Sequence, residues 1–411
     1  MARPMNSVPD PVTFAARNLF YLGCLLVPLT AIRLPAGLAV SDMVFAMSGL
    51  LTLLSLSQHR IRPSLSLMTA SLLAFCASLV LSLASATPLT ELAVGARMVF
   101  VWGIWPVIAA LILQDRHQVE RAAAFFVSGG CLSAIVAIVQ LAGTDLRGIF
   151  LAAAPDTPGM YTRLIGLNGQ PNGQGGTLAI AFTIAAAALI YHQKRCMAFG
   201  ALVLTAIGIL LSGSITGTII AAVGLAVLLV RGRKNRTVFL TAVLAAPVWV
   251  LVSRFQQAQT GVLTPFQRLS SAIGQPGVNT LDLRLRTIDF AWQAIVAHPW
   301  QGVGLGSTEG GTYDGVTLAH NMEVLAWYQG GPLMLLGVII AELAGLAFVW
   351  RRTGDVLAEM LFAAAFCALA FAQSGPALFD RYIWMPVVLA FAFKNQGSEA
   401  AMGRKCAVKT L

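Results

Sequence analysis

Charge is what this chain has least of. Only 11% of its 411 residues are Asp, Glu, Lys or Arg, against 57% hydrophobic, whereas a soluble domain carries about 25% charged residues. So little charge cannot clothe a globular surface of this size, which excludes a soluble enzyme. A mean hydropathy of +0.77 excludes a disordered chain. Cysteine is sparse and unpatterned. Cys24, Cys76, Cys131, Cys196 and Cys367 lie in or beside apolar runs as small fillers and Cys406 lies in a basic tail. Their spacing fits neither a zinc site nor a disulfide framework. A Walker A sequence and a Gly-rich strand-to-helix loop are also missing. What remains is an all-α polytopic membrane protein.

A bilayer core needs about 20 apolar residues per helix. Such runs fall near 14–32, 37–55, 65–86, 91–113, 120–143, 172–191, 196–212, 216–230, 237–253, 320–349, 356–373 and 379–393, giving about twelve spans in a single domain, 1–411. The pair flanking Ser212-Gly213-Ser214 can also be read as one broken helix, and the fourth run carries Glu91 and Arg97. The first run has no convincing cleavage site and reads as an uncleaved anchor. With both termini in the cytoplasm, 18 of the 27 basic residues, including all five lysines, fall on the inner face, as the positive-inside rule requires. The net charge of +10 is then mostly topology and not a nucleic-acid footprint. Two long segments face outward, 144–171 and 254–319; residues 395–411 form a basic cytoplasmic tail.

The nine outer basic residues, at 33, 97, 147, 163, 254, 268, 284, 286 and 381, are all arginine. Guanidinium is a planar fork that matches phosphate oxygens two at a time, which the lysine point charge does not. Arg163 opens the stretch ending Gln170-Pro171-Asn172-Gly173-Gln174-Gly175-Gly176. Pro171 suits a first helical turn, placing Asn172 at a helix N-terminus, where an anion is favoured; a re-entry loop that needs Gly and Pro only for turns is the plainer reading. Arg284 and Arg286 belong to a segment in which Leu281, Leu285, Ile288, Trp292 and Ile295 recur at helical spacing, the pattern of an amphipathic helix lying on the membrane surface. At 100° per residue the two arginines stand about 200° apart, so Arg284 is the expected ligand and Arg286 a headgroup contact or ion-pair partner.

The segment runs on through His298-Pro299 and Gly302-Val-Gly304-Leu-Gly306 to His320-Asn321-Met-Glu323 at the start of the tenth run. His320 is the outer titratable group suited to acid–base work near neutral pH; at a helix N-terminus its neutral form is favoured and can accept the proton of an attacking hydroxyl. Glu323 shares its face three residues on. A histidine that merely anchors the helix is the bland alternative, and the preferred reading for His298.

Arg284, Trp292, His298-Pro299, Gly302-Val-Gly304-Leu-Gly306, His320-Asn321 and Leu325, in that order and spacing, resemble the signature of the O-antigen ligase and O-antigen polymerase superfamily. Arg163 with Pro171-Asn172, and Leu211-Ser-Gly-Ser-Ile-Thr-Gly217, resemble two earlier signatures. The resemblance covers about residues 160–337. Ile215 stands where many members have arginine, and Gln329 where an acid often follows. The resemblance implies a GT-C-like membrane glycosyltransferase with a large periplasmic loop containing a surface helix. It would take a glycan from undecaprenyl diphosphate on the periplasmic face of the bacterial inner membrane and pass it to an acceptor hydroxyl, without nucleotide, cofactor or metal. Asp282, Asp289, Glu309 and Asp314 have no ligand spacing. Arg163 and Arg284 would hold the diphosphate and His320 would act on the acceptor, with Asn321 or Glu323 assisting. Asn172 and Arg286 would contact substrate, and Arg33, Arg97 and Arg381, near the outer ends of spans, are second-rank contacts. Polymerase (O-antigen or exopolysaccharide) is preferred narrowly over a ligase acting on lipid A–core. A secondary transporter, which twelve spans also suit, lacks the internal repeat and mid-membrane charges such proteins carry.

Overall fold

The computed structural model describes residues 11–32, 39–54, 63–85, 87–142, 163–191, 195–231, 265, 268, 280–305 and 317–408. Every extended element among them is a helix: α1 (Pro11–Leu26), α2 (Val40–Leu54), α3 (Leu65–Ala84), α4 (Pro88–Ile112), α5 (Arg116–Leu141), α6 (Pro171–Ile190), α7 (Arg195–Leu211), α8 (Ile215–Arg231), α9 (Thr280–Ala297), α10 (Met322–Trp350), α11 (Val356–Ala372) and α12 (Arg381–Val408). Five of these, α3, α4, α5, α6 and α10, are long and apolar enough to cross a membrane, and α2, α7, α8 and α11 are shorter apolar helices. The chain is a multi-pass membrane protein. The expected run at 237–253 lies outside the described residues, as do Arg33, Glu309 and Asp314.

Local chemistry sets the helix ends. Asp115 Oδ1 caps α5 by accepting from the Gln118 amide at 2.8 Å, and Asp355 Oδ1 caps α11 through the Leu357 amide at 2.9 Å. Pro171 opens α6, where its missing N–H costs nothing. In α4 the five residues Phe100–Ile104 form a π-turn. Pro106 is the cause: it offers no N–H and its ring crowds the carbonyl four residues back, so the preceding turn widens.

The best-buried helix is α6, which packs on α5, α7, α8 and α11. In lipid, helices associate through close packing and not through exclusion of water, and small residues make that possible here. A methyl group on Gly217 of α8 would lie 2.7 Å from the Gly175 backbone of α6, and one on Gly224 would lie 2.2 Å from Thr183 Oγ1.

Two elements differ from the sequence expectation. The tenth apolar run is not one helix. Gly331 (φ 68°, ψ −169°) breaks α10 ahead of Pro332, giving a first arm, 322–330, and a second, 332–350. On a straight helix Glu323 and Glu342 would lie about 28 Å apart, yet the Glu323 carboxyl group is a close neighbour of the Glu342 carboxyl group. The arms therefore fold back on one another, and only the second, about 28 Å long, has the length of a membrane crossing.

The apolar stripe expected to lie on the membrane surface in α9 is shared between two sides. Thr287, Ala291 and Ile295 face the protein, at 1%, 1% and 4% exposure, while Leu285 and Trp292 are 58% and 48% exposed. Periodicity finds a stripe without telling which side the protein takes.

Candidate functional site

The site is built around residues 212–216, the three-residue turn 212–214 that joins α7 to α8 and the first residues of α8. Gly213 sits at φ 59°, a left-handed conformation that glycine adopts freely. Ser212 Oγ accepts from the Ser214 amide at 3.2 Å, and Ser214 Oγ caps α8 through the Gly217 amide at 3.1 Å. Both serines are fully buried.

Three arginines from separate stretches of chain converge on this turn. Arg163 donates from Nε to the Ser212 carbonyl at 2.9 Å and from Nη2 to Asn172 Oδ1 at 2.7 Å. Arg268 donates from Nη1 to the Gly213 carbonyl at 2.8 Å. Arg284, on α9, donates from Nη1 to Thr216 Oγ1 at 3.0 Å, and its buried Nε has no acceptor. The hydrogen bonds of Arg163 and Arg284 thus go to neutral oxygens, not carboxylates. Burial lowers the pKa of all three, with mutual repulsion adding to the effect at Arg163 and Arg284. Arg163 falls to about 9 through burial first, then the charges of Arg268 and Arg284. Three crowded, partly desolvated cations beside a helix N-terminus are stabilised by an anion with several oxygens.

His320 borders the cluster. Its Nδ1 lies 3.5 Å from Thr287 Oγ1, which donates its own proton to the Arg284 carbonyl at 2.8 Å. With the Thr287 hydroxyl hydrogen so engaged, the tautomer that carries its proton on Nδ1 donates to Thr287 and leaves Nε2 as the accepting nitrogen. Burial lowers the His320 pKa and the Arg284 charge lowers it further, against a backbone hydrogen bond at Leu318 that raises it. The neutral form of the ring is thereby favoured.

Asn321 caps the first arm of α10 through the Val324 amide at 2.9 Å and donates to Gln373 Oε1 at 3.1 Å. Gln373 Nε2 in turn donates to Glu323 Oε1, so the end of α11 holds both residues beside His320.

The other expected contacts lie apart. Arg286 pairs with Asp282 at 2.8 Å on the exposed side of α9. Arg381 donates to both carboxyl oxygens of Asp42 and to the Phe379 carbonyl, an ion pair between α12 and α2. Arg97 lies over the Phe379 ring. Asp289 accepts from Gln293, and among the described residues no three His, Cys, Asp or Glu side chains gather closely enough to hold a metal ion.

The sequence reading missed four participants. Arg268 was one outer arginine among nine, with no motif around it. Thr216 lies inside a recognised signature but was assigned no role. Thr287 is visible only as the residue three beyond Arg284. Gln373 has no signal at all, being a helix-end residue remote from every motif.

Residues 200–339 match the family model described as O-antigen ligase. The match includes residues 212–216, Arg268, Arg284 and His320 and leaves out Arg163, Asn172 and Gln373. No curated protein matches the chain.

Proposed function

We propose that this chain, whose residues 200–339 match the O-antigen ligase family model, is a member of the O-antigen ligase and O-antigen polymerase superfamily and a glycosyltransferase of the bacterial inner membrane. It takes a glycan from undecaprenyl diphosphate at the periplasmic face and joins it to an acceptor hydroxyl. The observation that carries this reading is the convergence of Arg163, Arg268 and Arg284 on one turn next to a histidine whose neutral form is favoured.

In the transfer, the three guanidiniums hold the donor diphosphate. The acceptor hydroxyl attacks the anomeric carbon as the bond from that carbon to the phosphate oxygen breaks. Negative charge grows on the departing diphosphate, where the preorganised arginines stabilise it. The hydroxyl proton passes to His320 Nε2. An imidazolium beside Arg284 is disfavoured, so the proton moves on to the released diphosphate and the ring returns to its neutral form. Asn321, Glu323 and Gln373 fix the start of the first arm of α10 and thereby the ring's position. Asn172 orients Arg163.

With a second lipid-linked glycan as acceptor the enzyme is an O-antigen or exopolysaccharide polymerase, which is our first reading. With lipid A–core as acceptor it is a ligase. The test is product mass from purified protein given undecaprenyl diphosphate-linked repeat units, with and without lipid A–core. Longer lipid-linked glycans without the acceptor identify a polymerase, product only with the acceptor identifies a ligase, and no product in either arm overturns the proposal.

A further inference from the structure

An ionisable side chain in the interior of a membrane bundle is costly to keep and marks a task. Glu91, in the first turn of α4, is 1% exposed and has no part in the chemistry above. Its Oε2 accepts from the backbone amide of Leu305 at 2.7 Å, and its own carbonyl accepts from the Ser78 hydroxyl of α3. One end of α4 is thus fixed to α3 while its carboxyl group reaches into the segment after α9.

That segment is held on its other side as well. Val303 donates to the Tyr328 carbonyl at 2.9 Å and Gly304 to the Gln329 carbonyl at 3.0 Å. Gly302 and Gly304 both have positive φ, 66° and 112°, and a methyl group on Gly302 would sit 2.5 Å from the Gln329 carbonyl oxygen. Residues 302–305 are therefore clamped between α4 and the far end of the first arm of α10. His320 and Asn321 stand at the near end of that arm. The arm is nine residues long, about 14 Å, and is helical without a break up to Gly331, so fixing 328–329 fixes the direction in which 320–321 is presented.

We propose that Glu91 is a positioning residue for the transfer reaction, locking the first arm of α10, and with it His320, against the arginine cluster through the Leu305 amide. This rests on the role given to His320 under the proposed function. What the clamp needs from Glu91 is an acceptor oxygen at that place, which glutamine also supplies and alanine does not. The arginine cluster stands on other elements, so donor binding is independent of the clamp.

The experiment uses full-length protein in lipid nanodiscs, with Glu91→Ala and Glu91→Gln measured beside the wild type for turnover, donor KM and backbone amide exchange across 301–305. Alanine should lower kcat about tenfold to a hundredfold, the range for a misplaced catalytic group, leave donor KM within about twofold, and speed exchange at Val303, Gly304 and Leu305. Glutamine should restore all three. Unchanged kcat and exchange in the alanine variant, equal damage from alanine and glutamine, or a donor KM that worsens in step with kcat would each overturn the proposal. If the alanine variant does not fold, Leu305→Pro deletes the same hydrogen bond from the donor side, and normal turnover in it refutes the clamp. Absence of transfer by the wild type would remove the functional reading while the exchange data still judge the contact.

Discussion

Arg284 Nη1 reaches 3.0 Å across from α9 to Thr216 Oγ1 in the first turn of α8. Two elements separated in the chain by residues 232–279 thus meet through one guanidinium, and its neighbour Arg286 pairs instead with Asp282 on the exposed side of α9. Arg284→Lys keeps the charge and loses the fork. We expect turnover to fall about a hundredfold, the scale on which one donor to a developing anion is felt. Arg268→Lys should behave alike. Arg286→Ala breaks only an exposed pair, with a stability effect of about 1 kcal/mol or less, and should leave transfer near normal. Product ladders from membranes with matched expression decide; a worse defect in Arg286→Ala reverses the assignment.

The pH profile should have two separable limbs. His320 works as the neutral ring, and its pKa is lowered by burial and by Arg284, so activity should hold as pH falls to 6.5 and decline only below it. Arg163 sits at about 9 in the unliganded site, so donor KM should rise as pH climbs through that value, while a bound diphosphate opposes the loss of the proton. His320→Ala should abolish the acid limb and leave the alkaline rise of KM in place. An acid limb that survives this substitution assigns it to another group.

Arg381 should prove a stabilising residue. It and Asp42 are only 14% and 17% exposed at their side chains, and removing one member of such a buried pair costs about 3–5 kcal/mol. Arg381→Gln should lower the melting temperature markedly with little change in donor KM. A specific KM increase at normal stability would return Arg381 to the substrate site.

Gly331→Ala tests the fold-back of α10. A side chain at φ 68° is strained by about 1–3 kcal/mol, and the added methyl would lie 2.8 Å from the Trp300 carbonyl oxygen. We expect lower thermal stability together with lower turnover, because the arm carrying His320 loses its anchor. Wild-type stability in this variant would mean that the hairpin tip is not a constraint.

Much of the fold was legible because hydropathy reports lipid exposure directly: α2 to α8 lie within a few residues of the apolar runs that announced them. The division of labour between Arg284 and Arg286 follows from 100° per residue. The hairpin in α10 was hidden because both arms are apolar, and a run of apolar residues looks alike whether it crosses the bilayer or lies against protein. The only local sign was Gly330-Gly331-Pro332, which was read through as a continuous helix. Arg268 and Gln373 were illegible for a different reason. Each matters only through what distant segments bring to it, and spacing along the chain carries no record of that.

The first arm of α10 has a consequence for the chemistry that its length alone would not suggest. Met322, Leu325, Ala326 and Tyr328 on this arm are buried, so the helix that follows His320 packs against protein where an exposed helix would have brought water. Field lines between the guanidiniums and a departing diphosphate then run partly through protein, where the effective dielectric constant is nearer 20 than the ~80 of bulk water. Under the proposed function, a nine-residue piece too short to cross a bilayer would thereby act as insulation, making each arginine count for more at the moment the leaving group takes its charge.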